Sequence, residues 1–167
     1  MQYIIRKRKR KDCVSIAHVV TIAWNETYKG IVPDWFLEEL KNNESERAKK
    51  TFDEFTINNN NQLVLEIDNQ VVGFVNYGKS EDESFDNCGE IFALYIIGKY
   101  KGNGFGRKLM EKAKKELKSL GFDKMIIACL KGNPSNEFYK HIGGIYVKDG
   151  LYKRLKLLEN IYYYESI

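Results

Sequence analysis

Apolar and polar positions along the chain follow two rhythms, and the switches between them mark its elements. Residues 2–6 (QYIIR) read as a short strand. Over 13–25, Ile16, Val19, Val20, Ala23 and Trp24 share one helical face, and Asp12 stands at the N-cap position. Pro33 opens a second helix through Trp35, Phe36, Leu37 and Leu40, and a polar third helix covers about 44–52. "INNNNQ" (57–62) reads as a turn or loop. "LVLEI" (63–67) and "VVGFVNY" (71–77) flank "DNQ" as a β-hairpin, and a polar loop fills 78–90. "IFALYII" (91–97) is apolar on both faces, as a central buried strand would be.

A helix over about 104–120 follows, with Phe105, Leu109, Ala113, Leu117 and Leu120 at helical spacing and Gly121 placed to cap it in the left-handed region. "KMIIACL" (124–130) is another buried strand. Asn133-Pro134 supplies an N-cap and a first-turn proline for a short helix ending at Gly143-Gly144. Two strands, near 145–149 and 152–165, complete the chain. This order predicts an α/β (α+β) fold, a mixed central β-sheet flanked by helices, as a single domain over 1–167 without repeats or a linker.

Composition narrows the class. The 167 residues are 43% hydrophobic and 30% charged, which is globular rather than disordered. A net charge of +4 suits an anionic ligand without specifying nucleic acid. Cys13, Cys88 and Cys129 are far apart and odd in number, so neither a disulfide framework nor a zinc site is expected, and a cytoplasmic location is. No stretch approaches the roughly 20 apolar residues of a membrane span. "MQYIIRKRKRKDC" has its charges after its apolar residues and does not read as a signal peptide.

"YKGNGFGRKLM" (100–110) places three glycines between a strand and a basic helix. Free N–H groups and the positive dipole end of a helix N-terminus attract anions. Gly102, Gly104 and Gly106 leave room for backbone amides to approach a phosphate, with Lys101 and Arg107 adding charge. The plainer reading is a tight turn with solvated lysines. A P-loop is excluded, because no lysine followed by Ser or Thr stands in frame. So is a dinucleotide fingerprint, whose third glycine is replaced by Arg107.

Together with "EIFALYI" before it and "GNPSNEFYKHIGG" after it, this stretch resembles the GNAT superfamily of acetyl-CoA-dependent N-acetyltransferases, and the N-terminal "AWNETYKGIVPDWFLEEL" resembles the first helices of bacterial members. The family's [Q/R]-x-x-G-x-[G/A] loop is matched by Lys101-Gly102-Asn103-Gly104-Phe105-Gly106. Lys101 departs from the usual Gln or Arg but remains a donor. The resemblance implies that this loop and Arg107 cradle the pyrophosphate of acetyl-CoA. It also implies that backbone groups of Leu94, Tyr95 and Ile96 meet the pantetheine and the thioester carbonyl, and that Asn133 and Asn136 contact the pantetheine arm or its neighbourhood as cofactor-binding residues. Tyr139 falls on the family tyrosine that protonates the departing CoA thiolate. A phenol near pKa 10 retains its proton at neutral pH and can hydrogen-bond the sulfur as charge develops. Without the resemblance, Asn133 is a plain N-cap and Tyr139 a core aromatic beside Phe138.

Amide formation needs a neutral amine, so some group must accept a proton from the ammonium. Glu90, at the start of the central strand, is the candidate base; a strand-edge glutamate in solvent is the alternative. The activity so implied is direct acetyl transfer from acetyl-CoA to a primary amine of a small molecule or protein. The rival is a non-catalytic acyl-CoA sensor on the same fold. "RKRKRK" (6–11) lacks interleaved aromatics and reads as a solvated turn rather than a nucleic-acid patch. His18 and His141 stand apart, and no metal site is expected. A homodimer rests on the resemblance alone.

Overall fold

The structure is a computed structural model that describes residues 1–58 and 60–167; Asn59, within the expected 57–62 loop, lies outside the described residues. Seven strands form one mixed sheet: β1 (Tyr3–Lys7), β2 (Gln62–Ile67), β3 (Gln70–Lys79), β4 (Gly89–Ile96), β5 (Met125–Leu130), β6 (Ile145–Tyr152) and β7 (Leu157–Tyr164). Their order across the sheet is β1-β2-β3-β4-β5-β7-β6. The helices are α1 (Cys13–Thr27), α2 (Asp34–Asn42), α3 (Glu44–Asp53), α4 (Phe105–Ser119) and α5 (Ser135–His141). The chain clusters into two compact units, 1–76 with 93–110 and 77–92 with 111–167, and β3, β4 and α4 each contribute to both.

In the first unit, β2 and β3 join through Asp68 and Asn69, both at positive φ (47° and 65°), the geometry of a two-residue primed hairpin turn. Ile16 and Val19 of α1 pack on Val64 and Phe74. Arg47 ties the three helices together: it donates to Asn43 Oδ1, Thr21 Oγ1 and the Leu40 carbonyl at 2.9, 2.7 and 2.8 Å. Asp12 is not the side-chain N-cap that its position suggests. It is buried and turned back onto Arg6 (2.7 and 3.1 Å) and the Lys9 amide (2.7 Å). Arg6 also reaches Glu66 at 2.6 Å. Nor is the basic run a solvated turn throughout. Arg8 donates to Gln62 and lies over Phe55, and Arg10 lies over Phe52 and Phe55.

In the second unit, β4 pairs in parallel with β5 over Gly89–Ile91, and β5 and β7 pair antiparallel along their length. Side chains alternate across a strand, so Tyr162 and Tyr164 share one face of β7, and Tyr163 and Ile161 the other. The first face meets α5 through the Tyr162 and Tyr164 hydroxyls, and Lys114 of α4 lies over the Tyr164 ring at 5.3 Å. On the second, Cys88, Ile126 and Ile161 form a cluster closed by Phe85, whose ring stacks on Tyr163 at 5.8 Å. Gly121 (φ 94°) ends α4 with paired bonds from Gly121 N–H to Lys118 and Phe122 N–H to Leu117, the terminator expected of it.

Strand β4 differs from expectation. Phe92 is 47% exposed and Ala93, Leu94 and Tyr95 are only half-buried, although the sequence is apolar on both faces.

Candidate active site

The glycine loop lies in the first unit. After β4 a short 3-10 turn (Gly98–Tyr100) leads into 101–104, and Lys108 N–H to Gly104 O is a first-turn bond of α4. The amides of Phe105, Gly106 and Arg107 therefore precede the helical ladder, as the geometry of any helix start requires. Gly102 and Gly104 sit at φ 79° and 76°, and a Cβ on either would meet nothing within 4 Å. Backbone conformation, not space, is what demands glycine there. Asn103 folds its amide onto the carbonyls of Tyr100 and Lys101 (3.2 and 3.1 Å), bracing the loop from within. Lys101 and Arg107 are exposed, and the Lys101 ammonium bonds Thr27 Oγ1 at 3.3 Å. Phe105 is buried edge-on to Tyr3 at 5.2 Å, so only its backbone belongs to the loop.

Two further side chains hold this loop in place. Glu26, on α1, accepts the Gly98 amide at 2.7 Å and fixes where the strand ends and the turn begins. Lys108 lies over the Tyr3 ring at 4.3 Å and bonds its hydroxyl, anchoring the first turn of α4 to β1. Leu94, Tyr95 and Ile96 run up to the loop. Tyr95 is held edge-on by Phe74 at 5.6 Å, and its carbonyl stands 2.9 Å from where a Gly73 Cβ would be.

Glu90 and Tyr139 both lie in the second unit. Glu90 is half-buried and accepts a hydrogen bond from Ser80 Oγ at 2.8 Å. Its proton affinity is raised above that of an ordinary glutamate, first by burial and further by the charges of Asp82 and Glu81. The Ser80 and Glu81 hydrogen bonds work against that rise. Glu159, on β7, is raised too, by burial and by the charge of Glu90, so the two carboxylates feel one another. The strand-edge glutamate in solvent is thus not what the structure holds. Glu159 was missed because its link to Glu90 joins strands 69 residues apart.

Tyr139 is buried on α5, its ring 6.3 Å from Tyr162 and 5.4 Å from Phe138, and Tyr164 donates its hydroxyl to the Tyr139 carbonyl at 2.8 Å. Asn133 is buried, and its Oδ1 accepts the Ser135 amide at 2.8 Å in an Asx turn that starts α5. The Asn136 side chain is committed to the fold. Its amide nitrogen donates to the carbonyls of Leu130 and Asn133, and its oxygen accepts from Asn160 and the Tyr162 hydroxyl, all within 2.9 Å. A side-chain amide has two donors and two acceptor positions, and all four are used. Asn136 is therefore a strut between α5, β5 and β7 rather than a ligand contact. Among the described residues no group of three or more His, Cys, Asp or Glu is placed to hold a metal. No described helix is long and apolar enough to cross a membrane.

The family model of the acetyltransferase (GNAT) family matches residues 15–144. An uncharacterized N-acetyltransferase, YuaI, of Bacillus subtilis (strain 168) is 31% identical over 138 residues, covering 81% of this chain and 76% of its own. Among solved structures, the PaiA N-acetyltransferase of Thermoplasma acidophilum, in complex with coenzyme A, superposes with a TM-score of 0.77 at 22% identity, covering 98% of this chain and all of that one. The apo form of YjaB from Escherichia coli gives 0.72 at 18%, with full coverage of both chains. At those identities the two structures speak to the fold alone; the family match and the Bacillus relative go further, and the chain belongs to the GNAT family of acetyltransferases, whose acyl donor is acetyl-CoA.

Proposed function

We propose that the protein transfers an acetyl group directly from acetyl-CoA to a primary amine. The observation that carries the amine acceptor is Glu90, a half-buried carboxylate with raised proton affinity and a serine fixing its orientation. A base of this kind removes the proton from a bound ammonium, since efficiency is greatest when the base's pKa rises toward the working pH. The freed nitrogen lone pair attacks the thioester carbonyl, and the C–N bond forms as the carbonyl π electrons move to oxygen. Collapse of that intermediate breaks the C–S bond. Tyr139 gives its proton to the departing thiolate and regains one from the acetylated nitrogen or from solvent.

Lys101, Arg107 and the backbone amides of 102–107 supply donors for the pyrophosphate, consistent with the positive φ of Gly102 and Gly104. The partly exposed apolar stretch Phe92–Tyr95 suits the pantetheine arm, with a backbone N–H of Leu94, Tyr95 or Ile96 as oxyanion donor. Asn133 completes this set.

The test is calorimetric titration with acetyl-CoA followed by CoA release over a panel of small amines, polyamines, amino acids and peptide N-termini. Binding with release for one class supports the reading. Binding without release across the panel favours the non-catalytic sensor, and no binding overturns the whole assignment. In the active pairing, Tyr139→Phe is expected to lower kcat by about 10²-fold with acetyl-CoA affinity nearly unchanged. Unaltered turnover removes Tyr139 from the mechanism.

A further inference from the structure

The loop between β3 and β4 carries four carboxylates, Glu81, Asp82, Glu83 and Asp86, and lies wholly in the second unit beside Glu90. Its ends are tied by the Ser80 amide, which donates to the Cys88 carbonyl at 2.8 Å. Negative charge gathered in this way repels an ionised carboxylate next to it. Among the described residues, only Asp82 of the four has an ion-pair partner, and that partner is Lys148 of β6 at 2.9 Å.

The sheet sets Lys148 in place for this contact. It pairs with Ile161 of β7, so its side chain stands on the face that carries Glu159 and Tyr163 and, across Ile126 of β5, Glu90. Its ammonium bonds Asp82 Oδ2 and Ser84 Oγ at 2.9 and 2.6 Å and lies over the Phe85 ring at 5.1 Å. The Ser84 amide and hydroxyl both donate to Asp82 Oδ1, which leaves Oδ2 to Lys148. From Asp82 the bonding runs inward. The Asp82 amide donates to Ser80 Oγ at 3.1 Å, and Ser80 gives its one hydroxyl proton to Glu90 Oε2 at 2.8 Å. An unbroken chain of bonds therefore joins the ammonium on β6 to the carboxylate on β4. Ser84, and after it Lys148, hold the Asp82 carboxyl down to about 2, so Asp82 is ionised throughout the range in which Glu90 titrates.

We infer that Lys148 is a positioning residue for Glu90: it straps the acidic loop to β6 with Ser80 facing the Glu90 carboxylate, and it offsets the Asp82 charge beside that carboxylate. Its consequence for acetyl transfer rests on the reading of Glu90 as the base; the strap itself does not. The other titratable groups near Glu90 are Glu81 in the loop, Glu159 and Tyr163 on β7, and Cys88, with Asp123 and Lys124 before β5 close to that thiol. All of them are unaltered in the variants that follow, so the comparison isolates the Lys148–Asp82 pair.

The experiment is a carbon-13 NMR titration of the Glu90 carboxyl in the full chain, its resonance assigned by its loss in Glu90→Gln. In Lys148→Met the uncompensated Asp82 charge is expected to raise the Glu90 midpoint by about half a pH unit or more. In Asp82→Asn the midpoint is expected to fall, and adding Lys148→Met to that variant is expected to move it no further. Lys148→Arg, which keeps the cation, is expected to titrate like the wild type. An unmoved midpoint in Lys148→Met denies the link and overturns the inference. A lowered one overturns it too, because Lys148 would then act only by keeping water from Glu90. So does an equal shift with and without the Asp82 charge. If Lys148→Met does not fold, the other single variants decide: a fall in Asp82→Asn with Lys148→Arg unchanged upholds the inference, and any other result overturns it. In the CoA-release assay the acid limb of kcat/KM is expected to follow the same shifts. A limb that stays while the carboxyl midpoint moves upholds the strap and removes Glu90 from the base role, so the two readings fail separately.

Discussion

At the scale of single residues, Glu90 shows function and stability pulling apart. Burial, with the charges of Asp82 and Glu81, holds its proton more tightly than an ordinary glutamate does. The folded state therefore binds more protons than the unfolded state as pH rises from the ordinary glutamate value to the raised one. Stability contributed by the neutral form is lost across that window, and at neutral pH the ionised carboxylate is a burden on the fold. Glu90→Gln is expected to raise Tm at neutral pH while lowering kcat/KM by about 10²–10⁴-fold. It is also expected to remove an acid limb that lies above the usual glutamate range in the wild-type pH–rate profile. A variant that keeps full activity, or keeps the limb, takes Glu90 out of the base role. Sequence pointed to this residue through its place at the start of a strand. It gave no sign of Ser80 or Glu159, whose relation to Glu90 arises only when loop and strands fold together.

At the scale of elements, short-range signals were legible and long-range ones were not. The spacing of Leu109, Ala113 and Leu117 and the position of Gly121 located α4 to within a residue, because periodicity and cap chemistry act inside a few turns. Asp12 looked like a helix cap by the same local rules. Its use was decided by Arg6, whose guanidinium two hydrogen bonds hold to Asp12. The Asp12 carboxyl is itself under a burial penalty that the Arg6 bonds and the Lys9 amide outweigh, leaving its pKa below the usual value. The stability it contributes is present above pH 3.8 and lost as pH falls through the lowered value. Asp12→Ala is expected to cost about 1.5–3 kcal/mol in urea unfolding at neutral pH, with the gap narrowing in strong acid. Glycines within strands separate in the same way. A Gly73 Cβ would stand 2.9 Å from the Tyr95 carbonyl oxygen, whereas a Gly89 Cβ would meet the Leu117 side chain at 2.9 Å. Backbone cannot swing aside as a leucine methyl can, so Gly73→Ala is expected to lower Tm more than Gly89→Ala. The reverse order would show that β4 yields more readily than α4.

At the scale of the whole molecule, the fold class and strand-helix order were legible because each element carried its own start, period and stop. The four side-chain partners of Asn136 come from β5, β7 and the turn before α5, a convergence that no spacing along the chain reveals. The three cysteines acquire another meaning from where they lie. All are free and buried, Cys13 in the first unit and Cys88 and Cys129 in the second. Burial pushes the thiols of Cys88 and Cys129 up to about 11 and about 12, which suppresses their reactive thiolates in the closed state. Alkylation of the native protein must therefore wait for the chain to open, and mass spectrometry can count the modified thiols site by site. Equal protection of all three at rising urea would mean that the halves come apart as one cooperative body; earlier labelling of one set would show which half lets go first. The chain thus carries its own clock for unfolding, with a separate hand in each unit.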